Sequence, residues 1–137
     1  MKNLGYYNGT VTELEKLTVS ANDRAFYFGD GVYDAVMCRN NIPYLLSEHI
    51  DRFYRNCDRL SIKVQMKKHE LFELICTLVK MVDANEKFVY FHKKHKSAWQ
   101  TDICVLVYGK IESLDRGAGF ISTFWQGQAA AGRERGY

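Results

Sequence analysis

The chain has 137 residues, of which 47% are hydrophobic, and it carries a formal net charge of +3 at pH 7. This length and composition predict one globular domain with its own core. No apolar run approaches the roughly 18 residues of a membrane-spanning helix, and the N-terminus lacks the apolar middle of a signal peptide. These features predict that there is no transmembrane helix and favour a cytoplasmic enzyme or fragment.

The positive charge is unevenly distributed along the chain. Basic and acidic residues are equal in number over residues 1–91, so the whole surplus of +3 lies in residues 92–137. A balanced body gives no reason to expect nucleic acid or a membrane surface as a partner.

The four cysteines form no CxxC pair, and no histidine stands at ligand spacing from them; they are Cys38, Cys57, Cys76 and Cys104. Without a secretory signal, such cysteines are typical of reduced thiols that fill the core. We therefore expect no zinc site.

A β-hairpin is predicted at the start of the chain. Asn8 and Gly9 lie between the short apolar segments 4–7 and 10–12, and Asn-Gly in this setting is the strongest short signal for a hairpin turn. A polar connection over residues 13–22 follows.

The next segment, NDRAFYFGDGVYD over residues 22–34, places Gly29 and Gly31 around Asp30 and leads into a predicted strand over residues 32–38. Glycines at this density indicate a positive φ angle or a close approach of another group. On spacing alone, a bulged start of a hairpin with a buried tyrosine is the favoured interpretation, because short glycine motifs are weak signals. Alternation puts Tyr33, Ala35 and Met37 on one face of the strand, and Val32, Asp34, Val36 and Cys38 on the other. The carboxylate of Asp34 must therefore reach solvent or a partner.

A short strand over residues 42–46 and a helix over residues 47–60 are expected next, with Ser47 as the N-cap. The apolar residues of this helix recur at spacings of three and four and share one face. Arg52 stands on the adjacent strip with His49, so it can reach into a cleft at the rim of the core. A surface salt bridge with Glu48 or Asp51 is the alternative role for Arg52, and His49 is expected to be structural.

A second amphipathic helix is predicted over residues 67–82, followed by strands over residues 88–91 and 103–108. A further strand over residues 117–124 is possible, and residues 125–137 read as a disordered tail. Together these elements predict an α+β fold, a small mixed or antiparallel sheet with two consecutive helices on one face, in a domain spanning residues 1–124.

Three segments in this order carry a family resemblance: YFGDGVYD at residues 27–34, EHIDRF at residues 48–53, and VYF at residues 89–91. They resemble the class IV, or fold type IV, pyridoxal-phosphate-dependent aminotransferases. D-amino-acid transaminase is the most similar member, and branched-chain aminotransferases and aminodeoxychorismate lyase are near relatives. The resemblance covers residues 4–91 and implies the N-terminal domain of the D-amino-acid aminotransferase-like fold.

The resemblance also implies roles for particular residues. Arg52 matches the arginine of the family's EHxxR motif and would bind the phosphate of pyridoxal 5'-phosphate, which a planar guanidinium suits. Tyr33, Val32 and Tyr90 would line the substrate pocket, although an ordinary core position is an equal alternative for Tyr90. We expect Arg52 and Tyr33 to point into one shared hollow. Where the family commonly has Glu, this chain has Asp34.

The resemblance ends after Phe91, where the family continues with Thr-Arg-Gly and an Arg-x-His pair. The chain instead reads HKKHKSAWQ over residues 92–100, for which a solvated strand end or loop is expected. None of the lysines here matches the family's catalytic lysine, which by family spacing would fall beyond Tyr137; they are Lys93, Lys94, Lys96 and Lys110. The pattern predicts a truncated or frameshifted relative that is inactive alone.

The family implies an amino acid and a 2-oxo acid as substrates, and a homodimer. The alternatives are a non-catalytic α+β remnant or dimerisation module, and a nucleic-acid binder acting through the basic end, for which the footprint is weak.

Overall fold

The computed structural model describes residues 2–18, 31–94 and 103–109. These residues form a six-stranded sheet and two helices, and every strand pairing is antiparallel. The spatial order of the strands is β2-β1-β6-β5-β3-β4. The elements in chain order are β1 (Asn3–Tyr7), β2 (Thr10–Glu13), a 3-10 turn (Leu14–Lys16), β3 (Gly31–Arg39), β4 (Ile42–Pro43), α1 (Leu46–Arg59), α2 (Lys68–Lys80), β5 (Glu86–Lys94) and β6 (Cys104–Gly109).

The predicted turn at Asn8 and Gly9 is confirmed, and a second tight turn joins the next two strands in the same way. Asn8 and Gly9 join β1 to β2 with φ angles of 49° and 77°, and Asn40 and Asn41 join β3 to β4 with φ angles of 48° and 63°. Two consecutive positive φ angles give a turn whose twist matches that of the flanking strands, and Asn and Gly adopt them at low cost.

The start of α1 differs from the expectation. The predicted strand over residues 42–46 is only Ile42–Pro43, and Ser47 is not the N-cap. After the Tyr44 N–H donates to the Met37 carbonyl at 2.8 Å, Leu45 takes a left-handed conformation with φ 50° and occupies the N-cap position without a side-chain cap. The chain thus turns into the helix through backbone geometry that the residue type alone does not signal.

Both helices pack on the same face of the sheet, which we call the helix face. The register pairs Val36 with Val89 and Asp34 with Phe91, so alternate residues of these neighbouring strands point toward the helices. Phe53 of α1 meets Phe91 edge-on, with ring centroids 5.1 Å apart, and both are fully buried. The predicted α+β fold with two helices on one face is confirmed.

Strand β5 is longer than expected, since it continues through His92 to Lys94, which pairs with Gly31. The expectation of a solvated end or loop is therefore wrong for residues 92–94, and Lys93 is only 5% exposed on the helix face. Gly31 permits the close pairing because a Cβ there would lie 2.9 Å from the Lys93 carbonyl oxygen.

Residues 95–102, the possible strand over residues 117–124 and the tail over residues 125–137 lie outside the described residues, so the predicted domain limits remain a prediction. None of the helices within the described ranges has the length and apolar character needed to span a membrane.

Candidate functional site

A cluster of charged side chains joins β3 to α1. Arg52 donates from Nε to Asp34 Oδ2 and from Nη2 to Asp34 Oδ1, each at 2.8 Å. His49 Nδ1 lies 2.8 Å from Asp34 Oδ1, and the Ala35 N–H donates to the same oxygen at 2.8 Å. The carboxylate of Asp34, whose side chain is 2% exposed, therefore receives donors from a guanidinium, an imidazole and the backbone.

The electrostatics of the cluster favour the charged forms of Asp34 and Arg52. Burial alone would raise the pKa of Asp34, but hydrogen bonds from Arg52, His49 and the Ala35 amide, with the Arg52 charge, outweigh it and hold that pKa below its usual value. The hydrogen bonds to Asp34 raise the pKa of Arg52 more than burial lowers it. An ionised Asp34 only accepts hydrogen bonds, so His49 Nδ1 carries the hydrogen and donates. The 3.2 Å approach of Arg52 Nη2 to His49 Nδ1 follows from both groups donating to one oxygen.

The guanidinium of Arg52 uses only one of its edges to bind Asp34. Its side chain is 50% exposed, and Nη1 has no hydrogen-bond partner among the described residues. The Nε–Nη2 edge faces Asp34, which leaves the Nη1–Nη2 edge able to meet a second anion. The alternative pairing with Glu48 or Asp51 does not occur, and Asp51 instead pairs with Lys68 at 3.0 Å.

Aromatic residues occupy the opposite side of the sheet, which we call the second face. Tyr33 and Tyr90 stack with centroids 5.2 Å apart and planes at 25°, and the His92 ring lies 5.5 Å from that of Tyr90. Burial, with a smaller contribution from the Asp34 charge, raises the pKa of Tyr33, and burial also raises the pKa of Tyr90. Both phenols therefore keep their hydrogens at neutral pH and can donate.

The structure separates residues that were expected together. Val32 lies in the core on the helix face at 7% exposure, whereas Tyr33, the next residue, points to the second face. Consecutive strand residues face opposite sides, so the expectation that Val32 lines a pocket with Tyr33 is wrong for this arrangement. The expectation that Arg52 and Tyr33 point into one hollow fails for the same reason, because Arg52 approaches β3 from the helix face.

Arg52 and Tyr33 nevertheless meet the same short stretch of β3, since Tyr33 directly precedes Asp34. Their roles in ligand binding, and that of Tyr90, stay predictions. The sequence analysis predicted that the Asp34 carboxylate needs solvent or a partner and that His49 is structural. It did not predict that these two residues bond to each other. It did not place His92 beside the tyrosines. His92 is two residues from Tyr90, and strand residues two apart lie on the same face, so the sequence was sufficient to predict this placement.

No protein-family model matches the sequence. The chain is similar to the D-alanine aminotransferase of Listeria monocytogenes, with 37% identity over 83 residues that make up 61% of this chain and 29% of that protein. A D-alanine aminotransferase of Bacillus licheniformis is 33% identical over 81 residues, or 28% of its length. The chain thus spans less than a third of the length of these curated relatives.

Solved structures share the fold. One is the branched-chain amino acid aminotransferase from Escherichia coli, with a TM-score of 0.67 and 14% identity over 79% of this chain and 40% of that chain. Another is a fold IV-transaminase from Curtobacterium pusillum, with a TM-score of 0.63 and 17% identity over 74% of this chain and 37% of that chain. The chain is thus similar in sequence to part of the D-alanine aminotransferases, and it shares the fold of part of these solved aminotransferase structures.

Proposed function

We propose that this chain is the N-terminal part of a cytoplasmic, homodimeric, pyridoxal-phosphate-dependent aminotransferase. The reaction would exchange an amino group between an amino acid, as in D-amino-acid transaminases, and a 2-oxo acid. The observation that carries the proposal is the guanidinium of Arg52, which Asp34 holds by two hydrogen bonds of 2.8 Å while its outer edge stays exposed. The similarity to D-alanine aminotransferases supports it.

The donor set fits a phosphate group. Phosphate oxygens suit a planar fork of N–H donors, and Arg52 retains such a fork at Nη1 and Nη2. Asp34 lowers the net charge at the guanidinium, but it accepts only from Nε and Nη2, so Nη1 and the second hydrogen of Nη2 can still donate. Asp34 and His49 also fix the position of the guanidinium before a ligand arrives, which lowers the entropic cost of binding.

Pyridoxal phosphate, when bound, supplies the electron sink that amino-group transfer needs. In this chain, Arg52 would donate hydrogen bonds to the phosphate, and Tyr33 and Tyr90 would line the substrate pocket. The protonated phenols would donate hydrogen bonds to the substrate and orient it. No residue of the described part takes the role of the catalytic lysine, so we propose that the chain alone binds without turnover.

The test compares pyridoxamine 5'-phosphate with pyridoxamine, which lacks the phosphate. Pyridoxamine 5'-phosphate is preferred to the aldehyde because it does not react with surface lysines. In titration calorimetry we expect the chain to prefer the phosphorylated compound, and Arg52→Ala to weaken its binding by about tenfold. Arg55→Ala removes an equal charge from an exposed position of the same helix and is the matched control.

Arg55→Ala should change the affinity by less than about twofold, because an exposed charge acts on a ligand only through screened attraction. Equal losses in the two variants would mean that the ligand senses general positive charge rather than the fork of Arg52. Equal binding of pyridoxamine and its phosphate would also refute the proposal.

A dimerisation module without catalytic role is the second candidate, and one surface favours it. Large apolar side chains are exposed where β3, β4 and α1 meet: Met37 at 45%, Ile42 at 71%, Tyr44 at 68% and Leu45 at 49%. Sedimentation should show self-association that Ile42→Asp reduces. A strict monomer at all concentrations would eliminate this candidate.

A nucleic-acid role through the basic segment gains no support from the described part of it. Lys93 is buried, and Lys94 Nζ lies 5.2 Å from the centroid of the Tyr7 ring. These cations are engaged with the protein and do not form a solvent-facing stripe.

A further inference from the structure

The second face carries an exposed apolar groove at the end of the sheet where β3 turns into β4, and we call it the β4 groove. It has a volume of about 620 Å³, and Arg39 and Glu86, which pair with each other at 3.1 Å, also line it. Its apolar lining includes four side chains that are 45% or more exposed: Met37, Ile42, Tyr44 and Leu45. A contiguous exposed apolar surface of this kind indicates a docking site.

Apolar side chains continue from the β4 groove to the end of β6. Met37 pairs with Phe88, and Phe88 pairs with Tyr108, so the three stand in one row across β3, β5 and β6 on the second face. The ring centroids of Phe88 and Tyr108 lie 6.4 Å apart, and both residues are half-buried. The row thus forms a continuous apolar path between the groove and the last residues of β6.

Residues 110–137, which lie outside the described ranges, leave the sheet at the end where the β4 groove lies. β6 ends at Gly109, which pairs with Lys87 of β5. Lys87 directly follows Glu86, a residue that lines the groove. The segment that follows β6 therefore begins one strand away from the groove.

The other long segments outside the described ranges join the opposite end of the sheet. Residues 19–30 lead into Gly31, residues 95–102 follow Lys94, and Gly31 and Lys94 pair with each other. Gly31 lies six residues along β3 from Met37, which corresponds to about 20 Å. Position along the sheet therefore favours the segment after β6 as the occupant of the groove.

Residues 117–125, GAGFISTFW, have a composition that suits the groove. They contain no charged side chain and four large apolar ones, which are Phe120, Ile121, Phe124 and Trp125. β6 and β4 are three strand spacings apart, which corresponds to about 14 Å. The 11 residues from Gly109 to Phe120 span up to about 36 Å when they are extended, so the segment is long enough to reach the groove.

From these observations we infer that residues 117–125 dock into the β4 groove of the same chain. An uncharged segment suits a surface on which Arg39 and Glu86 already pair with each other, since docking leaves no charge buried without a partner. Contact of its aromatic rings with Met37 and Tyr44 removes apolar surface from water on both sides. The inference does not depend on the proposed cofactor role, and it places the chain's own segment on the surface that a second copy would need.

The experiment follows the fluorescence of Trp125 in the full chain with Trp99→Phe, which removes the other of the 2 tryptophans. We expect a blue-shifted emission maximum and weak quenching by acrylamide, because a docked indole is shielded from water. Ile42→Asp places a charge in the groove and should release the segment, which is measured as a red shift and stronger quenching. Ile42 is 71% exposed, so this substitution leaves the core intact, and circular dichroism verifies the fold.

Leu60→Asp is the matched control, because it makes the same kind of change at an exposed residue at the end of α1. It should leave the emission of Trp125 unchanged. A water-exposed Trp125 before any change in the groove, or equal responses to the two substitutions, would overturn the inference. Protection of Trp125 that appears only at concentrations where sedimentation detects a dimer would also overturn it, since a second copy would then be the occupant.

A second measurement tests the same contact from the side of the segment. Phe120→Ser combined with Phe124→Ser should shift the backbone amide resonances of Ile42 and Tyr44 in NMR spectra, because the rings no longer lie in the groove. The amide of Phe72, an exposed aromatic residue of α2, should not shift. Unchanged resonances of Ile42 and Tyr44 would show that the segment does not lie there.

Discussion

The two faces of the sheet differ in burial and polarity, although the same strands supply both. On β5, Val89 and Phe91 point into the helix face and are fully buried, whereas Phe88, Tyr90 and His92 point to the second face and are half-buried. The helix face is apolar along the middle of the sheet and admits charge only where it is paired or held by a neighbour. The second face carries rings with polar tips. Apolar packing is therefore concentrated on the helix face, and half-buried rings with polar atoms lie on the second face.

The Asp34 cluster is an exception to this difference between the faces, because it places charged side chains on the helix face. Here a carboxylate replaces an apolar residue on the helix face of β3, and it is compensated by four hydrogen-bond contacts of 2.8 Å. A buried, fully paired charge contributes little net stability compared with apolar packing. The binding role proposed for Arg52 would account for a buried charge at this position.

The largest expected contrast compares two phenylalanines of β5. Phe91→Ala should lower the free energy of unfolding by about 4 kcal/mol, because it leaves a cavity beside Phe53 in the core. Phe88→Ala, on the second face, should cost about 1–2 kcal/mol, since the ring is half-buried and solvent can fill the space. Urea denaturation of both variants measures the difference. Similar losses would show that the two faces are equally packed.

The Asp34 cluster gives the next largest effect. Asp34→Ala should destabilise the fold by about 3 kcal/mol, because it leaves Arg52, His49 and the Ala35 N–H without their common partner. Asp51→Ala breaks an ion pair with Lys68 in which both side chains are more than half exposed, and it should cost less than about 1 kcal/mol. Comparable unfolding midpoints for the two variants would contradict the assigned importance of burial.

The pH dependence of folding stability should also report on the Asp34 cluster, with a smaller change in the free energy of unfolding. The folded pKa of Asp34 lies below its usual value, so the unfolded chain binds the proton more tightly, and the stabilisation is present above the ordinary aspartate pKa of about 3.9. It is lost as the pH falls through the folded pKa. The stability gap between the wild type and Asp34→Asn should therefore narrow from pH 6 toward pH 2, as followed by circular dichroism. A gap that stays constant with pH would argue that Asp34 is not ionised.

The smallest effect is expected on the second face at the far end from His92. Glu86→Gln removes the pairing with Arg39, whose side chain is 79% exposed, and should change stability by less than about 0.5 kcal/mol. The small loss should disappear in 1 M salt because exposed charges are screened. A larger, salt-resistant loss would mean that this end of the face is more buried than the geometry shows.

Local patterns were sufficient to predict the elements and their faces. The Asn-Gly and Asn-Asn turns, the spacing of Ile50, Phe53 and Cys57 on α1, and the alternation along β3 all depend on neighbours close in sequence. The failures lie where distant segments decide. Leu45 occupies the N-cap position of α1 directly after Tyr44, whose N–H donates to the carbonyl of Met37 in β3.

The site was predicted by residue but not by arrangement. Arg52 was selected from its motif and its place beside the apolar strip, yet its partner Asp34 is 18 positions away and depends on how α1 docks on β3. The burial of Lys93 depends likewise on the pairing of β5 with β3. Val32 and Tyr33 are adjacent in the motif and were assigned to one pocket. Consecutive residues of a strand, however, point to opposite faces of the sheet.

The bond from the Ala35 N–H to Asp34 has a consequence for the behaviour of the chain among its own copies. Met37 accepts from Tyr44 on the side of β3 away from β5, and residues two apart along a strand direct their backbone groups the same way. The Ala35 N–H thus faces outward along a margin where no described residue pairs with residues 31–36. Because the Asp34 carboxylate already accepts from that amide, the Ala35 N–H is not available for pairing with a strand of another copy.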